Sequence, residues 1–428
     1  MVRSRIVAGA TTAGLLLPAA LTAAASPAGA AVRTSVIGNG PASEAVTTGR
    51  GRDVAFTSEA SNLVPGDLNG RSDVFVRGLK SGKTLLVSAS TTGGTAHGTS
   101  FEPSISDDGR YVAFSSTAPD LVSGQTTPSS NQPFGVFVRD TVLGTTRQVP
   151  LPPYTGSVDY GDPFPHLSGD GRYVAFTAQS DDFPEEPFYP VQVYRYDLAT
   201  GELRLVSASS AGVPGDDGSR VGDISADGRY VAFETLANTF GGGQWRIVRK
   251  DMVTGALVQL GFSPQETNPL GTASSAIDLD GKGDTVAYWR RVFAYEDGPP
   301  FRSPVVVRDV ASGRERSFGL PADPTASGDA NHPALSEHAT AVVYDSSTPG
   351  LTADDPDGEG RDVFLTTLGA GGSTTLVAAG ADRPDISGNA AYVTFQTYAA
   401  LVPQDTNATS DIYRKDLATG AVDLVSVG

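Results

Sequence analysis

Three short stretches carry the residue types that hard cations prefer. Asp67-Leu68-Asn69-Gly70-Arg71-Ser72-Asp73, Asp405-Thr406-Asn407-Ala408-Thr409-Ser410-Asp411 and Asp355-Pro356-Asp357-Gly358-Glu359-Gly360-Arg361-Asp362 each gather carboxylates or amides around a tight turn. Calcium takes roughly six to eight oxygens, and such a turn can fold side-chain and backbone oxygens around one ion. Asp67, Asn69, Asp73, Asp355, Asp357, Asp362, Asp405, Asn407 and Asp411 are therefore the candidate calcium ligands. The same residue types also build hairpin loops in which side-chain oxygens cap backbone N–H groups, so both readings stand. Other chemistries are excluded. The chain has no cysteine, hence no thiol catalysis, and it has no Gly-x-Ser-x-Gly elbow, phosphate loop or dinucleotide fingerprint.

A repeat positions these residues. Ile105-Ser106, then Asp107-Asp108-Gly109, then Tyr111-Val112-Ala113-Phe114 reads as strand, tight turn and strand. The hairpin returns with Tyr173-Val174-Ala175-Phe176 and Tyr230-Val231-Ala232-Phe233, and in weaker copies ending at Phe56, Tyr288, Tyr344 and Phe395. The marker valines 54, 112, 174, 231, 286, 342 and 393 lie 51 to 62 residues apart, the signature of a repeat architecture. A third strand follows in each copy, such as Val136-Phe137-Val138-Arg139-Asp140, and then a turn and a fourth, such as Leu203-Arg204-Leu205-Val206. With no convincing helix, the expectation is an all-β fold, a seven-bladed β-propeller of four-stranded antiparallel blades. The recurrent Arg-Asp or Lys-Asp pairs ending strand three, such as Arg139-Asp140 and Lys250-Asp251, suit an Asp that caps the next turn and a base that faces solvent. His97 and His338 fall near turns and read as solvated loop residues.

The Ser-x-Asp-Gly-Arg-Tyr-Val-Ala-Phe hairpin followed by Val-Phe-Val-Arg-Asp resembles the TolB-like, WD40-like (PD40) β-propeller repeats of exported bacterial proteins. The resemblance spans nearly the whole mature chain, closely in repeats one to four and loosely in five to seven. It implies a propeller that serves as a binding scaffold, as an accessory domain of a peptidase or, in some members, as a lyase. Fold alone does not choose among these.

In such a ring the innermost strands line the axis, so the residues just before the hairpin turns converge there. Glu102, His166, Asp223, Asp278, His332, Arg383 and Asp385 are the candidates for a ligand site at the channel mouth. Imidazoles, carboxylates and a guanidinium can bind a metal or a polar ligand; a water-filled polar channel needs the same residues. His166 and His332, from blades three and six, are the features that favour a metal-assisted enzyme such as a polysaccharide lyase.

Residues 1–30 read as a secretory signal, with Arg3 and Arg5 before an Ala/Leu-rich core and Ala28-Gly29-Ala30 as the cleavage site. Residues 31–428 then form a single propeller domain. Removing the signal takes Lys+Arg from 31 to 29 against 48 acidic residues, a net charge of about −19. That balance argues against nucleic acid or an anionic membrane as the main partner. No later stretch is long and apolar enough to anchor the chain in a bilayer. Arg33 to Ile37 is expected to add a strand to the last blade at the ring closure. The expectation is a secreted monomer that binds a protein, peptide or carbohydrate. Its recognition loops would be Gly124 to Pro133 and Tyr295 to Pro304, with Phe134, Tyr295 and Phe301 as aromatic contacts.

Overall fold

The hairpins form where the residue types require them. In a computed structural model of the protein, the Gly109 N–H donates to the Ser106 carbonyl at 2.9 Å and closes the first turn of blade two. Gly109 takes φ +75°, which a side chain would resist. The Ser106 hydroxyl donates to Asp108 at 2.7 Å and accepts the Tyr111 N–H at 3.0 Å. The same arrangement recurs at Ser168 and Ser225. The strand that follows is rich in β-formers, and Val112, Ala113 and Phe114 are fully buried within it.

The structure describes residues 35–125, 134–153, 163–180, 191–241, 245–262, 276–290, 302–323, 325–355 and 360–428. Blade one comprises Ala42–Thr47, Asp53–Ser58, Asp73–Gly78 and Lys83–Leu86, in that order in space. The innermost strands of blades two to seven are Ser100–Ile105, His166–Leu167, Ser219–Ile224, Ile277–Leu279, Gly328–Leu335 and Ala381–Ile386. Each begins a four-stranded antiparallel sheet in sequence order. Arg302–Ser303, from the long connection of blade five, adds a short parallel pairing to Gly328–Asp329 of blade six. Consecutive innermost strands touch all the way round, including the seventh and the first. The chain is a seven-bladed β-propeller, as the repeat predicts. Among the described residues the only helix is one 3₁₀ turn, Asn238–Phe240, and no helix is long and apolar enough to cross a membrane.

The apolar core is shared between blades. Ala55, Val74 and Val76 of blade one pack with Ile105, Val112 and Phe114 of blade two, and Ile412 and Val425 of blade seven pack with Ala42, Phe56 and Phe75 of blade one. The Asp-Gly-Arg-Tyr motif fastens neighbours together. Tyr173 lies against Gly228 of the next blade, where a Cβ would stand 2.1 Å from the ring. Arg195 covers the same ring, its guanidinium carbon 4.2 Å from the centroid, and donates to the Gly228 carbonyl. Gly228 has φ +69°. Gly228→Ala is therefore expected to cost about 2–3 kcal/mol, combining left-handed strain with overpacking. Gly212 shares the conformation, φ +79°, but a Cβ there meets nothing within 4 Å. Its Ala variant should lose only about 1 kcal/mol; urea unfolding of the two variants checks the difference.

The Arg-Asp pairs are half as expected. Asp140 accepts the Val142 and Leu143 N–H groups at 3.0 and 2.9 Å, capping its turn, and also pairs with Arg110 at 2.9 Å. The preceding base does not face solvent. Lys250 is buried and donates to the Ala208 carbonyl, and burial lowers its pKa to about 8. At the ring closure Ile37 makes a single antiparallel bridge to Val427, flanked by Gly38 N–H to the Ser426 carbonyl and Gly428 N–H to the Val36 carbonyl. This tie replaces the expected additional strand, and residues 33–34 lie outside the described residues. Blade seven owns all four of its strands, from Ala381 to Leu424.

Candidate functional site

The innermost strands are not regular. The pairing of strands one and two slips between Ser43 and Val46, Phe101 and Ser104, Val221 and Asp223, Asn331 and Ala334, and Asp382 and Asp385. These are β-bulges at one height in five blades. At that height Glu44, Glu102, Phe164, His332 and Arg383 have φ of +55°, +54°, +45°, +47° and +46°. None is glycine, and four of them precede a proline, which further restricts the backbone of the residue before it. Each such residue costs about 1–3 kcal/mol, so the surroundings must impose the conformation.

Those surroundings are polar and join blades. The Glu44 carboxylate accepts the Thr57 hydroxyl at 2.8 Å and the Glu102 N–H of the next blade at 2.9 Å. Glu102 in turn accepts the Ser115 hydroxyl at 3.2 Å. On blade six, Asp345 Oδ2 lies 2.6 Å from His332 Nδ1 and accepts the Arg383 N–H of blade seven at 3.1 Å. Asp345 is fully buried, and its other oxygen pairs with Arg361, which also pairs with Asp329. The Arg383 side chain is exposed. The rim thus carries carboxylates on blades one and two, an imidazole on blade six and an exposed guanidinium on blade seven.

One step deeper stands a second tier. Ser104, Asp223, Asp278 and Asp385 accept the N–H groups of Leu167, Leu279, Leu335 and Thr47, each from the following blade, at 2.9, 2.8, 2.5 and 2.6 Å. His166 Nδ1 lies 3.2 Å from Asp223 Oδ1. Burial, with the charges of Asp223 and Asp385 added, raises the Asp278 carboxyl well above the usual range. Burial also raises Asp385 to about 7, with the Asp223 charge contributing. Beyond this tier the strand-one-to-two turns are joined by backbone bonds. Asp107 N–H reaches the Gly169 carbonyl, Ala226 that of Gly281, Gly281 that of Glu337, Glu337 that of Gly388, and Asn389 that of Gly49, at 2.8 to 3.0 Å. These bonds draw that end together, so the rim on the side of the strand-two-to-three loops is the open approach.

No protein-family model matches the chain, and no curated protein matches it. Solved structures do. The β-propeller domain of the Trilobed protease from Pyrococcus furiosus, described as having an open velcro topology, aligns with 90% of this chain and 95% of its own, at 11% identity and TM-score 0.52. An oligogalacturonate lyase in complex with manganese aligns over 87% of both chains, at 13% identity and TM-score 0.53. TolB from Acinetobacter baumannii aligns with 79% of this chain, at 15% identity and TM-score 0.41, and this chain spans 63% of it. The likeness is one of fold.

Within the propeller, the sequence candidates divide. Glu102, His332 and Arg383 belong to the rim, and His166, Asp223, Asp278 and Asp385 to the deeper tier. Among the described residues no three His, Asp or Glu side chains come together as an ion-ligand set. In the blade-one loop the Asn69 amide donates to Asp73 at 2.7 Å and to the Ala96 carbonyl at 3.0 Å, and Asp73 also accepts the Ser88 hydroxyl at 2.7 Å. Blade seven repeats this: Asn407 donates to the Gly38 carbonyl at 2.8 Å, and Asp411 accepts the Ser426 hydroxyl at 2.6 Å. Both asparagines therefore hold the segment entering the next blade. In blade six, Asp355 accepts the Gly350 N–H and Asp362 the Gly380 N–H, each at 2.8 Å. Asp357 lies outside the described residues, as do most of both recognition loops, Tyr295 and Phe301 included. Phe134 meets Phe101 of the innermost strand edge-on, centroids 5.5 Å apart.

Sequence reasoning missed Glu44, Asp329, Asp345 and Arg361. The signal for Asp345 is positional: it follows the aromatic of strand two where other blades have Thr57, Ser115, Thr177, Glu234, Trp289 and Gln396.

Proposed function

We propose that this propeller is a binding module that takes a peptide segment of a partner protein over the open channel mouth. The observation that carries the reading is the rim itself: five non-glycine residues held at positive φ at one height, four of them ionisable. Strain maintained at equivalent positions of a repeat, with charged side chains, is characteristic of a recognition surface. Glu44 and Glu102 offer carboxylates, Arg383 offers an exposed guanidinium, and Phe164 is half-buried beside them. Tyr398, 77% exposed, and Leu68, 89% exposed, stand on the same loop face. Mixed charge with exposed aromatic and aliphatic groups suits a peptide better than a uniformly hydroxylated sugar. The leader features of residues 1–30 support export, which places the partner outside the cytoplasm.

The alternative, a metal-assisted enzyme such as a polysaccharide lyase, has less support. One solved structure of similar fold is a lyase in complex with manganese. Here the two channel histidines face different carboxylates, His166 with Asp223 and His332 with Asp345. They stand in blades three and six, so the described donors do not fit a shared ion.

Panning a random peptide library against the purified protein, then measuring anisotropy of enriched peptides, tests the reading. Arg383→Glu should weaken binding about tenfold or more. Lys80→Glu, exposed in a strand-three-to-four turn on the opposite face, should leave it unchanged. Failure to enrich any peptide, or equal binding by Arg383→Glu, would overturn the reading.

A further inference from the structure

We propose that the loop between strands two and three of blade one binds a divalent cation of the calcium class, with Asp67 as its anchoring ligand. The starting point is a pair of buried carboxylates without a counter-charge. Asp67 is 3% exposed and Asp73 fully buried, and among the described residues neither forms an ion pair. Two carboxylates withdrawn from water in one loop need a compensating charge or a proton.

The second observation is an acceptor without a donor. Asp67 Oδ1 is buried and receives no hydrogen bond, although buried acceptors are nearly always satisfied. Blade seven shows what a proton donor does at the same place. There Asp405, the counterpart of Asp67, accepts the Tyr413 hydroxyl at 2.5 Å. The counterpart of Tyr413 in blade one is Phe75. The rings are similarly placed: Phe75 stacks on Phe56 at 5.8 Å and 27°, and Tyr413 on Phe395 at 6.1 Å and 19°. At this position one hydroxyl therefore separates an aspartate that has a donor, Asp405, from one whose Oδ1 has none, Asp67. A hard cation bound to Asp67 supplies the missing partner, and the second lone pairs of Asp73 and the loop carbonyls are oxygens of the kind it takes.

The experiment uses the whole chain, freed of ions with a chelator and melted with calcium, magnesium or chelator. Calcium at about 5 mM, above the affinities usual for extracellular sites, should raise the native midpoint by about 3–5 °C. Asp67→Asn should lose most of that shift. Phe75→Tyr, which places a phenol where blade seven has one, should melt above the native protein in chelator and gain less from calcium. Native midpoints that agree in calcium and chelator overturn the proposal. So does a calcium shift that Asp67→Asn and Phe75→Tyr both retain in full, since the ion would then sit elsewhere. A shift by magnesium equal to that by calcium overturns the calcium class.

Discussion

Asp345→Ala is expected to destabilise the protein by about 3–5 kcal/mol, the largest single effect predicted at the channel. Asp345 is fully buried on strand two of blade six and serves three partners at once: His332 Nδ1 at 2.6 Å, the Arg383 N–H at 3.1 Å and the Arg361 guanidinium. Removing the carboxylate leaves Arg361 with Asp329 alone and strips a backbone N–H of its acceptor. It also releases His332 and Arg383, whose φ of +47° and +46° rest on those contacts. Asp345→Asn keeps one acceptor oxygen and should lose less, about 2–3 kcal/mol. Urea unfolding of both variants measures the costs. A loss below about 1 kcal/mol for Asp345→Ala would mean that the bulge is held by its backbone pairing alone. Peptide affinity should fall with stability in these variants, because the geometry of the rim depends on the same carboxylate.

The hairpins, the third strands and the blade count are legible in the sequence because each rests on local chemistry repeated seven times. Asp108-Gly109 demands a turn with positive φ, and Tyr111-Val112-Ala113-Phe114 demands a sheet. The inner-strand bulges are different in kind. A bulge is a mismatch between two strands, so it depends on register, and only the proline after Glu102, Phe164, His332 and Arg383 hints that something is unusual there. Repetition also conceals. Averaging the copies highlights Val-Ala-Phe and passes over Asp345, which departs from its counterparts. Asn69 illustrates the limit of residue type: an amide both donates and accepts. Its spacing suits a cation ligand, whereas in the fold its Nδ2 group donates to Asp73 and to the Ala96 carbonyl.

Asp385→Asn is expected to flatten the dependence of stability on pH. Burial, with the Asp223 charge added, raises the Asp385 carboxyl from 3.8 to about 7, so the folded chain keeps a proton that the unfolded chain has lost. Stability from this group is fully present below pH 3.8 and declines by about 1.4 kcal/mol per unit as pH rises to about 7, beyond which it is gone. The neighbouring groups reinforce the sign. Asp278, which faces Asp223 and Asp385, is raised for the same reasons, so the native protein carries a falling contribution from both. The amide of the Asp385→Asn variant would keep an oxygen for the Thr47 N–H, which the native carboxyl accepts at 2.6 Å, and would have no proton to lose. The variant should match the native protein near pH 4 and exceed it by about 2–4 kcal/mol near pH 8. Urea midpoints across that range decide the matter: parallel curves for the two proteins would show that Asp385 does not keep its proton in the fold. A widening gap would show that the channel carboxyls act chiefly as acceptors joining blade to blade. The rim above them would then be the tier where charge is free to meet a ligand.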